Sequence, residues 1–257
     1  MISQERHHRI IQYLQENRYA SLHDIVALVN ASEATVRRDF NSLEEAGILR
    51  RVHGGVELAN EEKAPPFFQE PPFEHRKIQL AETKRAIARE AAGLCSNDET
   101  IMIDGGSTTY YLAEFLREKR LQIITNSFAI AEELISRSSN RIIILGGMIY
   151  RNSRLILNPF DFEHFLGHYY AAKLFMGVGG IDENGASNTE MLLIETERAM
   201  IKQCKRLIIM CDSSKFSRQG NLFLCGFDSI DTIITDSGIP DDYRDMLLSK
   251  GIRLQIV

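Results

Sequence analysis

Apolar residues near the start of the chain return every three or four positions. Ile10, Ile11 and Leu14 share one face of a helix expected from about Gln4 to Glu16. Leu22, Ile25, Val26 and Val29 follow at i, i+3, i+4 and i+7. Before them Ser21-Leu22-His23-Asp24 has the S-x-x-D form of a capping box, so a second amphipathic helix is expected there. Ser32 is placed to cap a third helix, with Val36, Phe40 and Leu43 facing inward and Gly47 as its C′ residue. At about 100° per residue, Ala34, Arg38 and Asn41 point the opposite way, flanked by Thr35 and Arg37. The pattern then changes. Ile48-Leu49-Arg50-Arg51-Val52 and Val56-Glu57-Leu58 flank His53-Gly54-Gly55, which predicts two strands and a glycine turn. Three helices and a two-stranded wing predict a winged helix-turn-helix over residues 1–58.

Residues 59–77 break this periodicity. They hold four of the six prolines, as Pro65-Pro66 and Pro71-Pro72, together with Phe67, Phe68 and Phe73. Paired prolines stiffen the backbone into extended forms and disfavour helix. A linker is expected, docked through its phenylalanines. Residues 78–257 then alternate helical and strand patterns. An alanine-rich helix is expected over Gln79–Leu94. Strands are expected at Thr100–Ile103, Gln122–Thr125, Arg141–Leu145, Lys173–Val178, Leu207–Met210, Thr232–Thr235 and Ile252–Val257. Helices are expected at Thr109–Leu116, Ala129–Ser136, Met191–Lys202 and Asp241–Ser249. The alternation predicts an α/β domain with a mostly parallel sheet, long enough for one sizeable core.

Composition narrows the function classes. Of 257 residues, 44% are hydrophobic and 25% charged, as in an ordinary globular protein. No apolar run approaches the ~18 residues of a membrane span, and the start is too polar for a signal peptide, so a cytoplasmic protein with no membrane partner is expected. Four cysteines without CxxC spacing point to reduced thiols rather than zinc or disulfides. A net charge of −5 excludes a broadly basic nucleic-acid coat. The first 58 residues carry seven arginines, no lysine and eight acids. Affinity for double-stranded DNA would therefore come from where the arginines sit, and a homodimer or homotetramer would multiply the phosphate contacts.

On the third helix, Ser32 and Thr35 suit phosphates near the N-terminus, where the macrodipole favours anions. Arg38 and Asn41, beside Ala34, suit guanine and adenine edges, while Arg37, Arg50 and Arg51 suit the DNA backbone. In the second domain, polar and glycine residues gather where strands end, the place where open α/β sheets bind ligands. Asp104-Gly105-Gly106-Ser107-Thr108-Thr109 follows the first strand. Thr125-Asn126-Ser127 follows the second, and Gly146-Gly147 the third. Gly180 and Asp182 follow the fourth, with Glu190 beyond, and the fifth runs into Asp212-Ser213-Ser214-Lys215. Glycine amides and hydroxyls suit a phosphate, Lys215 adds a mobile cation, and Asp104, Asp182 and Glu190 suit sugar hydroxyls. Together they predict a small, hydroxyl-rich, phosphate-bearing ligand. Neither a Walker loop nor a full G-x-G-x-x-G is present, so no nucleotide and no cofactor is expected. His164 and His168 lie four apart but lack a third ligand, and are expected to pack in a helix or interface rather than bind metal.

These residues resemble the DeoR family of bacterial transcriptional regulators over essentially the whole chain. The N-terminal resemblance lies in Ala34-Thr35-Val36-Arg37-Arg38-Asp39-Phe40, Leu43-Glu44-Glu45-Ala46-Gly47 and Arg51-Val52-His53-Gly54-Gly55. The C-terminal one lies in Ile103 to Thr109, Thr125-Asn126-Ser127, Gly146-Gly147, Asp182 to Gly185, Asp212 to Lys215 and Thr235-Asp236. The resemblance implies a sensor domain related to sugar-phosphate isomerases and coenzyme A transferases. It also implies a repressor of a carbohydrate or sugar-acid operon released by a small phosphorylated sugar or sugar-acid effector. The tail and the Asn158-Pro159 region are similar to regulators of ascorbate utilisation. Asn158-Pro159 and Ala186-Ser187 depart from the usual family pattern, and both are expected near the ligand mouth. Two other functions fit the residues: a sugar-phosphate isomerase with Asp104 or Glu190 as base, and an activator of the same architecture.

Overall fold

The computed structural model describes residues 3–17, 19–45, 48–52, 55–58, 73–150, 153–157, 166–189 and 191–257. The chain divides into two units, Met1–Gln69 and Glu70–Val257.

The first unit contains helices α1 (Ser3–Asn17), α2 (Leu22–Val29) and α3 (Glu33–Glu45), and strands β1 (Tyr19–Ser21), β2 (Leu49–Val52) and β3 (Gly55–Leu58). The capping box forms: Ser21 Oγ accepts from the Asp24 amide, and Asp24 accepts from the Ser21 amide. Ser32 Oγ accepts from the Thr35 amide at the start of α3. Ile10, Leu14, Ile25, Val29, Val36, Phe40 and Leu43 are buried together, so the three periodic stripes meet in one core. The wing is three-stranded, because β1 adds to the expected pair in the antiparallel order β1-β3-β2. A side chain at Gly55 would meet the Ala20 carbonyl at 2.2 Å, so this glycine admits β1 beside β3. Gly47, His53 and Gly54 lie outside the described residues.

The second unit opens with α4 (Phe73–Ile78), a helix inside the segment expected as an extended linker through Lys77. Phe73 is buried and packs edge-on against Tyr110, and Tyr111 Oη donates to the Lys77 carbonyl. The expectation of extended backbone fails at this stretch because tertiary contacts stabilise a short helix once Pro72 is passed. Residues 59–72 lie outside the described set. Next come α5 (Ala81–Gly93), β4 (Thr100–Ile103), α6 (Ser107–Phe115), β5 (Gln122–Thr125), α7 (Phe128–Arg137) and β6 (Arg141–Ile144). A hairpin of β7 (Met148–Tyr150) and β8 (Leu155–Leu157) follows, then β9 (Lys173–Met176), β10 (Gly180–Asp182) and β11 (Gly185–Asn188). After a helix over Met191–Lys202 come β12 (Leu207–Met210), β13 (Leu222–Cys225), β14 (Thr232–Thr235), a helix over Asp241–Ser249 and β15 (Arg253–Ile256).

All seven strands expected from the sequence form one parallel sheet, ordered β15-β14-β12-β9-β4-β5-β6. Successive residues alternate between two buried faces. Met102, Ile124, Leu174 and Ile209 face one core, with Ile194 and Leu247 from the helices Met191–Lys202 and Asp241–Ser249. Ile101, Ile123, Phe175 and Ile208 face the other, with Ile87, Leu112 and Ile130 from α5, α6 and α7. The strands β10, β11 and β13 make a small antiparallel sheet. All four cysteines are free thiols. No described helix is long and apolar enough to cross a membrane.

One polar contact ties α1 to α3. Asp39, only 4% exposed, accepts from Arg6 Nε at 2.7 Å and a second Arg6 nitrogen at 2.9 Å, with His7 Nε2 at 3.0 Å. Burial alone would raise this carboxyl, but the Arg6 and His7 hydrogen bonds outweigh it and hold the pKa below the usual range. We expect Asp39→Ala to lower the urea stability of the N-terminal unit by about 2–4 kcal/mol, the cost of removing one partner of a buried pair. Because the folded carboxyl is depressed, its contribution is full above the unfolded pKa and lost as pH falls through the folded value. The gap between wild type and mutant should therefore close below about pH 4. Coincident urea curves at neutral pH would show that the staple carries no stability.

Candidate nucleic-acid interface and ligand cavity

On α3, the inward stripe of Val36, Phe40 and Leu43 leaves Ala34, Arg37, Arg38 and Asn41 exposed, with Ser32 exposed and Thr35 partly so. The Ser32 and Thr35 hydroxyls lie 2.9 Å apart at the helix start. Arg37 is loosely paired with Glu33 at 3.7 Å, an exposed i,i+4 contact worth little in water. Arg38 has no ion pair or side-chain hydrogen bond among the described residues. The other arginines are engaged. Arg50 pairs with Glu57 at 2.5 Å across the β2–β3 register, and Arg51 pairs with Glu44 at 3.1 Å. Arg51 also donates to the Asn41 side-chain carbonyl. To read adenine through both atoms of its amide, Asn41 would have to release Arg51.

In the second unit, the sheet ends enclose a cavity of about 170 Å³. Among its lining residues are Asp104, Gly105, Gly106, Ser107, Thr108 and Lys215, all expected from the sequence. Gly106 is the N-cap of α6 and has no side-chain cap, so the first-turn amides are open to an anion. Lys215 stands on a 3₁₀ turn held by Asp212, which accepts from the Ser214 amide, and by Asp236, which accepts from the Ser213 amide at 2.6 Å.

The other expected ligand residues do different work. Asn126 is fully buried. Its Nδ2 donates to Asp104 Oδ1 at 2.7 Å, and its Oδ1 accepts from the Gly105 amide at 2.8 Å. It braces the β4 loop from behind. Thr125 donates to the Ile103 carbonyl, Ser127 caps α7, and Thr109 donates to the Gly106 carbonyl. Gly146 and Gly147 follow an edge strand and do not line the cavity. Gly180 packs against the Arg218 backbone, where a Cβ would lie 2.3 Å from the carbonyl oxygen, and so positions Arg218 at the cavity. Asp182 accepts from the Asn184 and Gly185 amides in the β10–β11 turn. Ala186 and Ser187 are buried in β11, and it is the next residues, Asn188 and Thr189, that reach the cavity. Glu190, His164 and Asn158-Pro159 lie outside the described residues. Among the described residues there is no group of three or more metal-ligating side chains.

Several lining residues escaped the sequence reading. Arg76 comes from α4, Lys84 from α5, Ser153 from the turn before β8, Glu197 from the helix Met191–Lys202, and Arg218 from the loop before β13. None sits just after a strand of the main sheet, the signal used to find the others. Ser153 is 6% exposed and its hydroxyl has no hydrogen-bond partner among the described residues. Lys84 is 5% exposed. Burial pushes its ammonium down to about 8, Lys215 and Arg76 push the same way, and Asp212 opposes. Among the described residues, four cations, Arg76, Lys84, Lys215 and Arg218, thus share the wall with three acids, Asp104, Glu197 and Asp212. Uncharged donors reach each of these acids: Asn188 donates to Glu197, Ser214 to Asp212 and Asn126 to Asp104.

Comparison with known proteins converges on one family. Residues 6–62 match the DeoR-like helix-turn-helix domain, and residues 79–237 match the DeoR C terminal sensor domain. The chain is 28% identical over 256 residues to the HTH-type transcriptional regulator UlaR of Escherichia coli, covering 99% of each chain. It is equally similar to the UlaR of Shigella dysenteriae serotype 1. Among solved structures, ribose 5-phosphate isomerase A of Methanocaldococcus jannaschii aligns at 16% identity with a TM-score of 0.39, covering 53% of this chain and 54% of that one. eIF2B beta of Chaetomium thermophilum aligns at 15% identity with a TM-score of 0.45, covering 60% and 48%. The chain thus spans about half the length of these two structures.

The brace behind the cavity makes a direct prediction. Asn126→Ala leaves a buried carboxylate oxygen and a buried amide without their partner, and should cost the second unit about 1–3 kcal/mol. Chemical denaturation followed by far-UV circular dichroism checks this, and an unchanged midpoint would show that the brace is dispensable.

Proposed function

The chain belongs to the DeoR family of transcriptional regulators, and we propose that it represses a carbohydrate or sugar-acid operon until a small phosphorylated effector releases it from DNA. It is a regulator and not an enzyme. The observation that carries the reading is a cation-lined cavity at the sheet ends of a unit joined to a winged helix whose outward face presents an uncommitted Arg38. In this reading α3 enters the major groove. Arg38 reads a base edge, Ala34 and Asn41 lie beside it, and Ser32, Thr35 and Arg37 hold phosphates. Arg50 and Arg51 reach the backbone by exchanging Glu57 and Glu44 for phosphate. The effector's phosphate sits against Gly105, Gly106, Ser107 and Thr108 at the start of α6, with Lys215 supplying charge and Ser153 a hydroxyl.

Two or four copies on one operator would place α3 helices at half-sites spaced by whole turns of roughly 10–10.5 bp. A modest rotation between copies then spoils simultaneous docking, provided the effector prefers the rotated arrangement.

An operator shift assay should find Arg38→Ala weaker by about 1–3 kcal/mol with relaxed sequence preference. Wild-type affinity for that mutant would remove Arg38 from the interface. A thermal-shift panel of sugar phosphates and sugar-acid phosphates should contain a compound that raises the melting midpoint, since a ligand of the native state stabilises it. That compound's affinity should fall when operator is bound, because coupling is reciprocal. Equal affinity with and without operator would refute release by the effector.

A further inference from the structure

Lys84 is the cation that the cavity encloses most tightly among those sequence reasoning missed, and its position is unusual. It lies in the first turn of α5, yet its ammonium donates to the backbone carbonyl of Arg76 in α4. No carboxylate lies within ion-pair distance of it among the described residues. Its neighbours Lys215 and Arg76 add like charge, with only Asp212 opposing from further away. A buried ammonium held by one neutral acceptor is expensive, and an anion arriving in the cavity removes that cost.

The element Lys84 holds is weak by itself. Helix α4 has six residues, far below the length at which an isolated helix is stable. The contacts that hold it include Phe73 against Tyr110, Lys77 over the Tyr110 ring, the Tyr111 hydroxyl on the Lys77 carbonyl, an Arg154–Glu74 pair at 3.2 Å, and Lys84 on the Arg76 carbonyl. Of these, only the last is made by a residue that also lines the cavity. Like charge on Lys215 and Arg76 disfavours the Lys84 ammonium that makes it.

We propose that Lys84 couples the sensed anion to α4: its ammonium is shared between the Arg76 carbonyl and an anionic group of the ligand, so that occupancy fixes the helix to which residues 59–72 attach. This deepens the reading of the cavity as an anion sensor and rests on it. An ammonium has three donors, enough for the Arg76 carbonyl and an anion together. The ligand also neutralises the charge that pushes Arg76 away. It therefore binds better to the arrangement with α4 docked, which is the difference in affinity that any such coupling requires.

The test uses the full-length chain with inorganic phosphate as the probe. Phosphate should raise the melting midpoint of the wild type and slow amide hydrogen exchange across Phe73–Ile78. Lys84→Met should weaken phosphate binding by about tenfold or more, the loss of one charge-assisted hydrogen bond. It should also abolish the slowing in α4 while keeping the far-UV spectrum. Lys84→Arg, which keeps the charge, should restore part of both. No response of the wild type to phosphate would overturn the anion-sensor reading and this inference with it. A wild type that binds phosphate with unchanged exchange in α4, or a Lys84→Met protein that binds and protects α4 like the wild type, would overturn the coupling alone. The exchange measurement on the unmodified chain decides the matter even if the methionine variant fails to fold.

Discussion

The parallel register of the seven-stranded sheet is the constraint on which the cavity depends. When every strand runs the same way, every loop leaving a carboxyl end emerges at one edge of the sheet. Position within that edge then decides which loops meet. β4, β9 and β12 are neighbours in the order β15-β14-β12-β9-β4-β5-β6, and the loops that follow them supply Asp104 to Thr108, Gly177-Val178 and Asp212 to Lys215. β5 is one strand further out, and its loop contributes the brace Asn126 from behind. β6 is the edge strand, two spacings of about 4.8 Å from β4, and Gly146-Gly147 accordingly falls outside the site.

This explains how much of the molecule was legible beforehand. The seven core strands were readable because strands buried on both faces are continuous apolar runs, such as Ile101-Met102-Ile103 and Ile208-Ile209-Met210. Short strands at the periphery were not. β10 and β11 carry Gly180, Gly185, Ala186 and Ser187, which have little strand propensity, and they form by pairing with each other and with the apolar β13, Leu222–Cys225. Helix α4 was hidden because a proline pair precedes it and six residues give no more than two turns. In the site, glycine and hydroxyl loops after strands could be found by composition. Lys84 and Arg76 could not: a lysine in the amphipathic helix α5 looks like any solvated charge until packing shows what covers it.

In the first unit, the helical stripes set the orientation of α3, and Asp39 fixes it. Only one residue of the Arg37-Arg38-Asp39 run faces inward, and its carboxylate meets Arg6 and His7 of α1. The two arginines before it are thereby turned out. An acidic residue inside a segment read as DNA-facing would oppose binding by its charge. Buried and paired, Asp39 instead presents the arginines without a free negative charge beside them. The same economy limits the wing. Arg50 and Arg51 are paired with Glu57 and Glu44, which leaves Arg38 as an exposed arginine without an ion pair among the described residues. This is how a domain with eight acids and seven arginines can still meet a polyanion.

The cavity divides its charges in a comparable way. A general base needs a carboxylate lone pair aimed at the substrate and a pKa near the working pH. Here Glu197 gives both oxygens to Asn188 at 2.8 Å, Asp212 is turned to the Ser214 amide, and Asp104 is held by Asn126. Each of these acids thus has at least one uncharged donor on its oxygens. On the proposed reading, Lys84 and Lys215 supply the positive charge that meets the anion. Binding energy released in such a site is spent on holding elements together rather than on moving protons, which is the chemistry a sensor requires.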